Sequence, residues 1–245
     1  MFSVIILAGL WVWGSQAGAF RDASDIIYVN GIYAYGHYDA GACVDDPAPR
    51  RFSSEIEAFE KDDALNFPPR GATLFVGSSS IRLWRTLAED IPGITYINRG
   101  FGGSQTDDVL YYFDRIVAPY HPTRIVYFTG TNDLASGRTP EETVDNVEEF
   151  IVRSNNLFPD VEIYILSNTI AVSRKHLHEQ YHKANRLLQQ MLEKYENAFY
   201  VDVTTPGLRP DGQPRPEIYT ADSLHLNRTG YAMWGEILRP FLTGE

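Results

Sequence analysis

The stretch Ala72-Thr73-Leu74-Phe75-Val76-Gly77-Ser78-Ser79-Ser80-Ile81-Arg82-Leu83-Trp84 decides the fold. Residues 72 to 76 form an uninterrupted run of strand length, bounded by a glycine and three serines. Ile81, Leu83 and Trp84 then suit a helix. This strand, turn and helix are the opening of a βα unit, and the alternation repeats outward from it. Ile94 to Ile97, Ile125 to Thr129, Val161 to Leu166 and Ala198 to Val203 read as further strands.

Between them, apolar residues recur at helical spacing. Val109, Leu110, Phe113, Ile116 and Val117 share one face, and Val144, Val147, Phe150 and Ile151 a second. Tyr181, Ala184, Leu188, Met191 and Tyr195 mark a third, and Tyr231, Trp234, Ile237, Leu238 and Phe241 a fourth. Thr139, Pro140 and Glu142 supply a cap, a first-turn proline and a capping-box acid for the second helix. Strands alternating with helices predict an α/β domain, a three-layer α/β/α sandwich around a mostly parallel five-stranded sheet. Ligands of such sheets sit beyond the carboxyl ends of the strands.

Three motifs stand at those ends. In Gly77-Ser78-Ser79 a serine lies near a helix N-terminus, where free N–H groups favour developing negative charge. Capping by Ser78, Ser79 or Ser80 is the commoner use of such a run. Asn98-Arg99-Gly100-Phe101-Gly102-Gly103 follows the second strand; its glycines allow close backbone approach, or simply a tight turn. Gly130-Thr131-Asn132-Asp133 follows the third, and Asn132 can donate its amide to an oxyanion. A fourth motif, Asp222-Ser223-Leu224-His225, follows the proline-rich interval Pro206 to Pro216. Its spacing sets a carboxylate beside an imidazole, so that one ring nitrogen is held and the other is free to take a proton.

In this order the four motifs resemble those of the SGNH (GDSL-type) esterase and lipase superfamily, from about residue 51 to 243. The resemblance implies a flavodoxin-like sheet and a serine esterase, with Ser79 as nucleophile, His225 as base and Asp222 orienting it. It also implies an oxyanion hole made by the Ser79 and Gly103 main chains and the Asn132 amide. No metal or organic cofactor is implied. Ser78 departs from the pattern, which has Asp there. Relatives act on simple esters, lysophospholipids and acetylated sugars, so a small ester, a lysolipid or an acetylated carbohydrate is the expected substrate class. The absence of a long apolar insertion favours short acyl chains.

Two other classes compete. His178-Glu179-Gln180-Tyr181-His182 reads as H-E-x-x-H, the signature of zinc metallopeptidases. Both histidines, however, flank the apolar stripe beside Asn185 and Gln189, and no third ligand stands in a recognisable motif. A carbohydrate- or lipid-binding module on the same fold is the other rival, because fold does not fix function.

Composition bounds the rest. The 245 residues suit one large domain, and a net charge of −11 argues against nucleic acid or an anionic bilayer as the main partner. Cys43 is the only cysteine, so the chain has no internal disulfide. Residues 2 to 13 are uncharged and mostly apolar, no charge precedes Arg21, and Ala17-Gly18-Ala19 offers small residues for cleavage. We therefore expect residues 1–19 to be an export signal, giving a periplasmic or extracellular protein without a stable membrane span. Residues 20–50, with Tyr28, Tyr33, Tyr35 and Tyr38 and no sustained period, read as an extension, and 51–245 as the hydrolase domain. The sequence leaves the oligomeric state open. Asn227-Arg228-Thr229 matches a glycosylation sequon but equally suits a helix cap.

Overall fold

The computed structural model describes residues 49–244, together with the strand backbone at 26–29 and 32–35. The chain divides into two compact units, Met1–Val44 and Asp45–Glu245. In the larger unit five strands form one parallel sheet: β1 (Thr73–Gly77), β2 (Tyr96–Gly100), β3 (Arg124–Phe128), β4 (Glu162–Leu166) and β5 (Ala198–Val201). Their spatial order is β2-β1-β3-β4-β5, with every pairing parallel. The order reverses at β1, so chain leaving β1, β2 and β3 emerges at one end of the sheet around a topological switch point.

Alternation along each strand divides the core in two. Leu74, Val76, Ile125, Tyr127, Ile163 and Ile165 face one side, packed with Ile56, Val109, Phe113, Ile116, Val144, Phe150, Ile151 and Leu188. Phe75, Val126, Phe128, Tyr164 and Leu166 face the other, with Ile81, Trp84, Leu87, Trp234 and Leu238. A sheet buried on both faces explains why these strands are continuous apolar runs rather than alternating ones.

The helices that cover it are α1 (Ser53–Leu65), α2 (Ser79–Arg82), α3 (Leu87–Asp90), α4 (Thr106–Tyr111), α5 (Phe113–Ile116), α6 (Thr131–Ala135), α7 (Pro140–Leu157), α8 (His178–Leu192) and α9 (Arg228–Thr243). The three-layer expectation holds. At the start of α7 the capping box forms: Glu142 N–H donates to Thr139 Oγ1 at 3.2 Å, and Thr139 N–H to the Glu142 carboxylate at 2.8 Å.

Two local expectations are corrected. The stripe from Val109 to Val117 is not one helix: it breaks at Tyr112, where the backbone turns to φ −90° and ψ 6°. Its apolar residues still pack into one cluster, because two short helices meet the same sheet face. Within the extension, residues 26–29 and 32–35 pair antiparallel, with Val29 opposite Ile32. The intervening pair in the sequence is Asn30-Gly31, a strong hairpin signal that outweighs the lack of longer periodicity. The export segment lies outside the described residues, among which no helix is long and apolar enough to cross a membrane.

Candidate active site

Ser79 follows β1 directly. Gly77 ends the strand at φ +144°, and the main chain then enters α2, with Ser78 as the capping residue. Ser78 makes no side-chain capping bond, so ordinary capping is not what the serine run is used for here. At the first turn of α2 the Ser79 N–H has no intrahelical acceptor. The helix is only four residues long, so local N–H groups matter more here than an extended dipole.

His225 Nε2 lies 3.0 Å from Ser79 Oγ, across 146 residues of sequence. Its Nδ1 lies 2.6 Å from Asp222 Oδ2. The other carboxylate oxygen, Asp222 Oδ1, accepts from Thr220 Oγ1 at 2.6 Å, Leu224 N at 2.9 Å and His225 N at 3.0 Å. These donors, Thr220 first and then His225, hold the Asp222 carboxyl well below the ordinary carboxylate range. Nδ1 facing an ionised carboxylate carries the proton, which leaves Nε2 as the acceptor facing Ser79.

The loop bearing Asp222 and His225 is pinned at both ends. Thr220 N–H donates to the His225 carbonyl at 2.8 Å, and Tyr219 bridges Leu226. Ser223, between the pair, takes a left-handed φ of +58° to make the tight turn. Asn227 then caps α9, accepting from Thr229 N and Gly230 N, while its amide nitrogen donates to the carbonyls of Glu217 and Tyr219. That amide is fully engaged, so the sequon reading does not fit this site. Arg228 extends the anchor: its Nη1 meets the buried Asp90 carboxylate at 2.5 Å, which also accepts from Trp84 Nε1 and Thr86 Oγ1. Three donors are what a carboxylate buried that deeply requires.

The next two motifs set Asn132 against the loop that bears Gly103, although Gly103 itself does not line the cleft that Ser79 and Asn132 share. Asn132, on α6, donates from Nδ2 to the Ser104 carbonyl at 3.0 Å, fixing it beside the Gly102-Gly103 loop. Asp133 is fully buried and accepts from the Thr106 N–H at 3.0 Å and the Thr106 hydroxyl at 2.5 Å. Burial pushes its carboxyl upward. This neighbouring pair thus clamps the loop after β2 to the one after β3. Gly103 has φ +81° with open space where a Cβ would stand. Arg51 donates to its carbonyl at 3.3 Å, and Glu55 accepts from the Gly102 N–H at 3.3 Å.

Ser79, Asn132 and His225 line one cleft with Thr131, Thr169, Ala171, Arg174 and Tyr181. Its volume is about 20 Å³. Arg174, Arg51 and Glu55 were not legible as site residues. Each lies outside the four motifs, in a segment where one charged residue looks like the next.

His178 and His182 stand one turn apart in the first turns of α8, both half-buried, with Glu179 exposed between them. His178 is held toward the neutral form, chiefly by burial and then by His182. Among the described residues no group of three His, Cys, Asp or Glu is placed to hold a metal ion.

The profile of the GDSL-like lipase/acylhydrolase family matches residues 68–233, more than half of the chain and all four motifs. The chain belongs to that family and is a hydrolase. Among solved structures, the fold is similar to that of a protein of Streptococcus pneumonia provisionally described as a platelet activating factor. Identity is 23% and the TM-score 0.70, covering 80% of this chain and 95% of that one. A GDSL-like lipase of Bacteroides thetaiotaomicron matches at 20% identity and TM-score 0.62, over 80% of this chain and 97% of that one. An acetylxylan esterase of Geobacillus stearothermophilus matches at 15% identity and TM-score 0.58, over 70% and 94%. At these identities the likeness is one of fold. Among curated proteins none matches the sequence.

Proposed function

We propose that this protein is a serine carboxylester hydrolase that forms an acyl-enzyme on Ser79 and prefers short acyl groups. The observation that carries the reading is the continuous relay from Asp222 through His225 to Ser79, at 2.6 Å and 3.0 Å. The Ser79 hydroxyl attacks the ester carbonyl while His225 Nε2 takes its proton. Asp222 keeps the ring oriented and stabilises the imidazolium. The carbonyl oxygen becomes an oxyanion, held by the main-chain N–H groups of Ser79 and Gly103 and by the Asn132 amide. Collapse breaks the bond to the leaving alcohol, which receives the proton from His225. A water molecule, deprotonated by the same imidazole, then releases the acid and restores Ser79.

The small cleft supports the acyl preference. At about 20 Å³ it favours a small acyl group over a long one. Thr131, Thr169 and Arg174 make its lining more polar than apolar despite Ala171 and Leu224, so a long alkyl chain finds little apolar contact there. The alcohol side is left to a small ester, a lysolipid or an acetylated carbohydrate. Two relatives of similar fold are named as an acetylxylan esterase and a GDSL-like lipase, which is in keeping with that range. Export remains part of the proposal, resting on the uncharged apolar run at 2–13 and on Ala17-Gly18-Ala19. A mature N-terminus at or near Phe20 is expected, and an intact Met1 on cytosolic protein would exclude it.

A fluorophosphonate tests the mechanism, since it phosphonylates an activated serine hydroxyl. Labelling at Ser79, lost in Ser79→Ala together with hydrolysis of an aryl acetate, is the expected result. An unlabelled protein without esterase activity would instead be a binding module.

A further inference from the structure

We propose that Arg174 is a positioning residue that sets the orientation of the Asn132 oxyanion amide and couples it to the catalytic loop. The inference rests on the serine esterase reading above and names a residue outside its four motifs.

A side-chain amide is nearly symmetric in shape, so packing alone does not decide which end is nitrogen. Its partners decide. The Ser104 carbonyl can only accept, and it sits 3.0 Å from Asn132 Nδ2. The Arg174 guanidinium can only donate, and its Nη2 sits 3.0 Å from Asn132 Oδ1. Rotating the amide by half a turn would set oxygen against oxygen and two N–H groups against a cation. With Ser104 engaging one hydrogen of Nδ2, the second is left for the cleft that Asn132 lines with Ser79 and His225. Arg174 Nη1 also donates to the Thr131 carbonyl at 3.0 Å, so the guanidinium grips the first turn of α6 at two points.

The same segment reaches the other half of the site. Arg174 belongs to the 3-10 turn Val172–Leu177, and its own backbone leaves helical geometry at φ −114° and ψ 22°. One residue earlier, Ser173 N–H donates to the carbonyl of Ser223, between Asp222 and His225, at 3.0 Å. Just before the turn, the Ile170 carbonyl accepts from the Tyr219 hydroxyl at 3.2 Å. One short turn therefore braces the base loop through its main chain and the oxyanion amide through a side chain.

A double-mutant cycle tests this. Arg174→Met and Arg174→Lys are made in the parent and in Asn132→Ala, and kcat and KM are measured on an aryl acetate. Fluorophosphonate inactivation rates are read alongside, because the phosphonyl oxygen occupies the oxyanion position. Arg174→Met should lower kcat and the inactivation rate by about tenfold or more, a fraction of the ~10²–10³ for losing the donor itself, with KM within a few-fold. In the Asn132→Ala background the same substitution should cost less than about twofold, because the group it positions is gone. Arg174→Lys, which keeps a donor for Oδ1 but not the two-point grip, should fall between. An unchanged kcat in Arg174→Met, or an equal loss in both backgrounds, would overturn the proposal. If the parent itself is not labelled, or Ser79→Ala keeps its activity, the esterase reading fails instead.

Discussion

Gly77 and Phe128 approach so closely that a methyl group on Gly77 would stand 2.0 Å from the Phe128 carbonyl oxygen. The same oxygen accepts from Ser78 N–H at 3.0 Å, so the strand that carries the serine motif is stitched to its neighbour at the point where it turns. Gly77 also has φ +144°, a backbone state that side chains other than glycine rarely adopt. Position and conformation both require glycine two residues before Ser79.

Gly77→Ala is therefore expected to destabilise the domain severely. The backbone conformation alone costs about 1–3 kcal/mol, and the clash is with main chain, which cannot swing aside. Gly103 has a milder positive φ of +81° and its added Cβ would meet no heavy atom within 4 Å, so the loss in Gly103→Ala should be smaller. Thermal melts of the two variants check the order. Equal melting temperatures would show that the β1–β3 contact relaxes more easily than this geometry implies.

The serine and metal readings make opposite forecasts for one set of variants. Ser79→Ala and His225→Ala should each remove nearly all ester hydrolysis, by ~10⁴–10⁶ in kcat, since such residues act as a unit. Asn132→Ala should cost ~10²–10³, because two main-chain donors remain. His178→Ala, His182→Ala and a chelator should leave the rate within a few-fold of the parent. Loss of activity in the histidine variants with retention in Ser79→Ala would reverse the assignment.

Much of this arrangement is legible in the sequence, for physical reasons. The central strands are short apolar runs because both faces of the sheet are buried there. β1 and β2 end on glycine, and Thr129, Ser167 and Asp202 follow β3, β4 and β5 where the chain must turn. Asp222 and His225 stand three residues apart, so one turn of backbone fixes their pairing, while Ser79 and Asn132 each follow a strand of the parallel sheet and so emerge at the same end of it. What stays hidden is whatever depends on distant chain. Nothing near Arg174 in the sequence indicates that its guanidinium reaches Asn132, 42 residues earlier. Nor does the run from Val109 to Val117 show its break at Tyr112, because both helices use the same apolar face.

Acyl-chain selectivity follows from the size and polarity of the cleft. A butyryl aryl ester should turn over faster than a palmitoyl one, and an acetyl ester at least as fast as butyryl. The cleft is small, about 20 Å³, and its lining is more polar than apolar, with Thr131, Asn132, Thr169 and Arg174 against Ala171, Tyr181 and Leu224, so a long chain gains little by entering it. A chain-length series of aryl esters below the micelle threshold checks it. A higher kcat/KM for palmitoyl than for butyryl would sink the preference.

The stability that Asp108 contributes should fall as pH rises through mildly acidic values. Its carboxyl is nearly buried at the start of α4, and burial raises its pKa from 3.8 to about 6, against the lowering effect of the Gln105 N–H. Asp107 and Asp133 raise it further, while Arg51, 3.5 Å away, opposes them. The folded state thus binds the Asp108 proton more tightly than the unfolded chain does. Between about pH 4 and 6 the Asp108 site is more protonated in the folded than in the unfolded chain, so its contribution to stability declines with rising pH and levels off above that window. Asp108→Asn removes the titration while keeping an oxygen for the Gln105 N–H. The difference in melting temperature, variant minus parent, should therefore grow from pH 4 to about 7 and then stay constant. Melting curves of both proteins in buffers from pH 4 to 8 decide it. A difference that does not change with pH would mean that Asp108 is ionised in the folded protein as readily as in the unfolded chain.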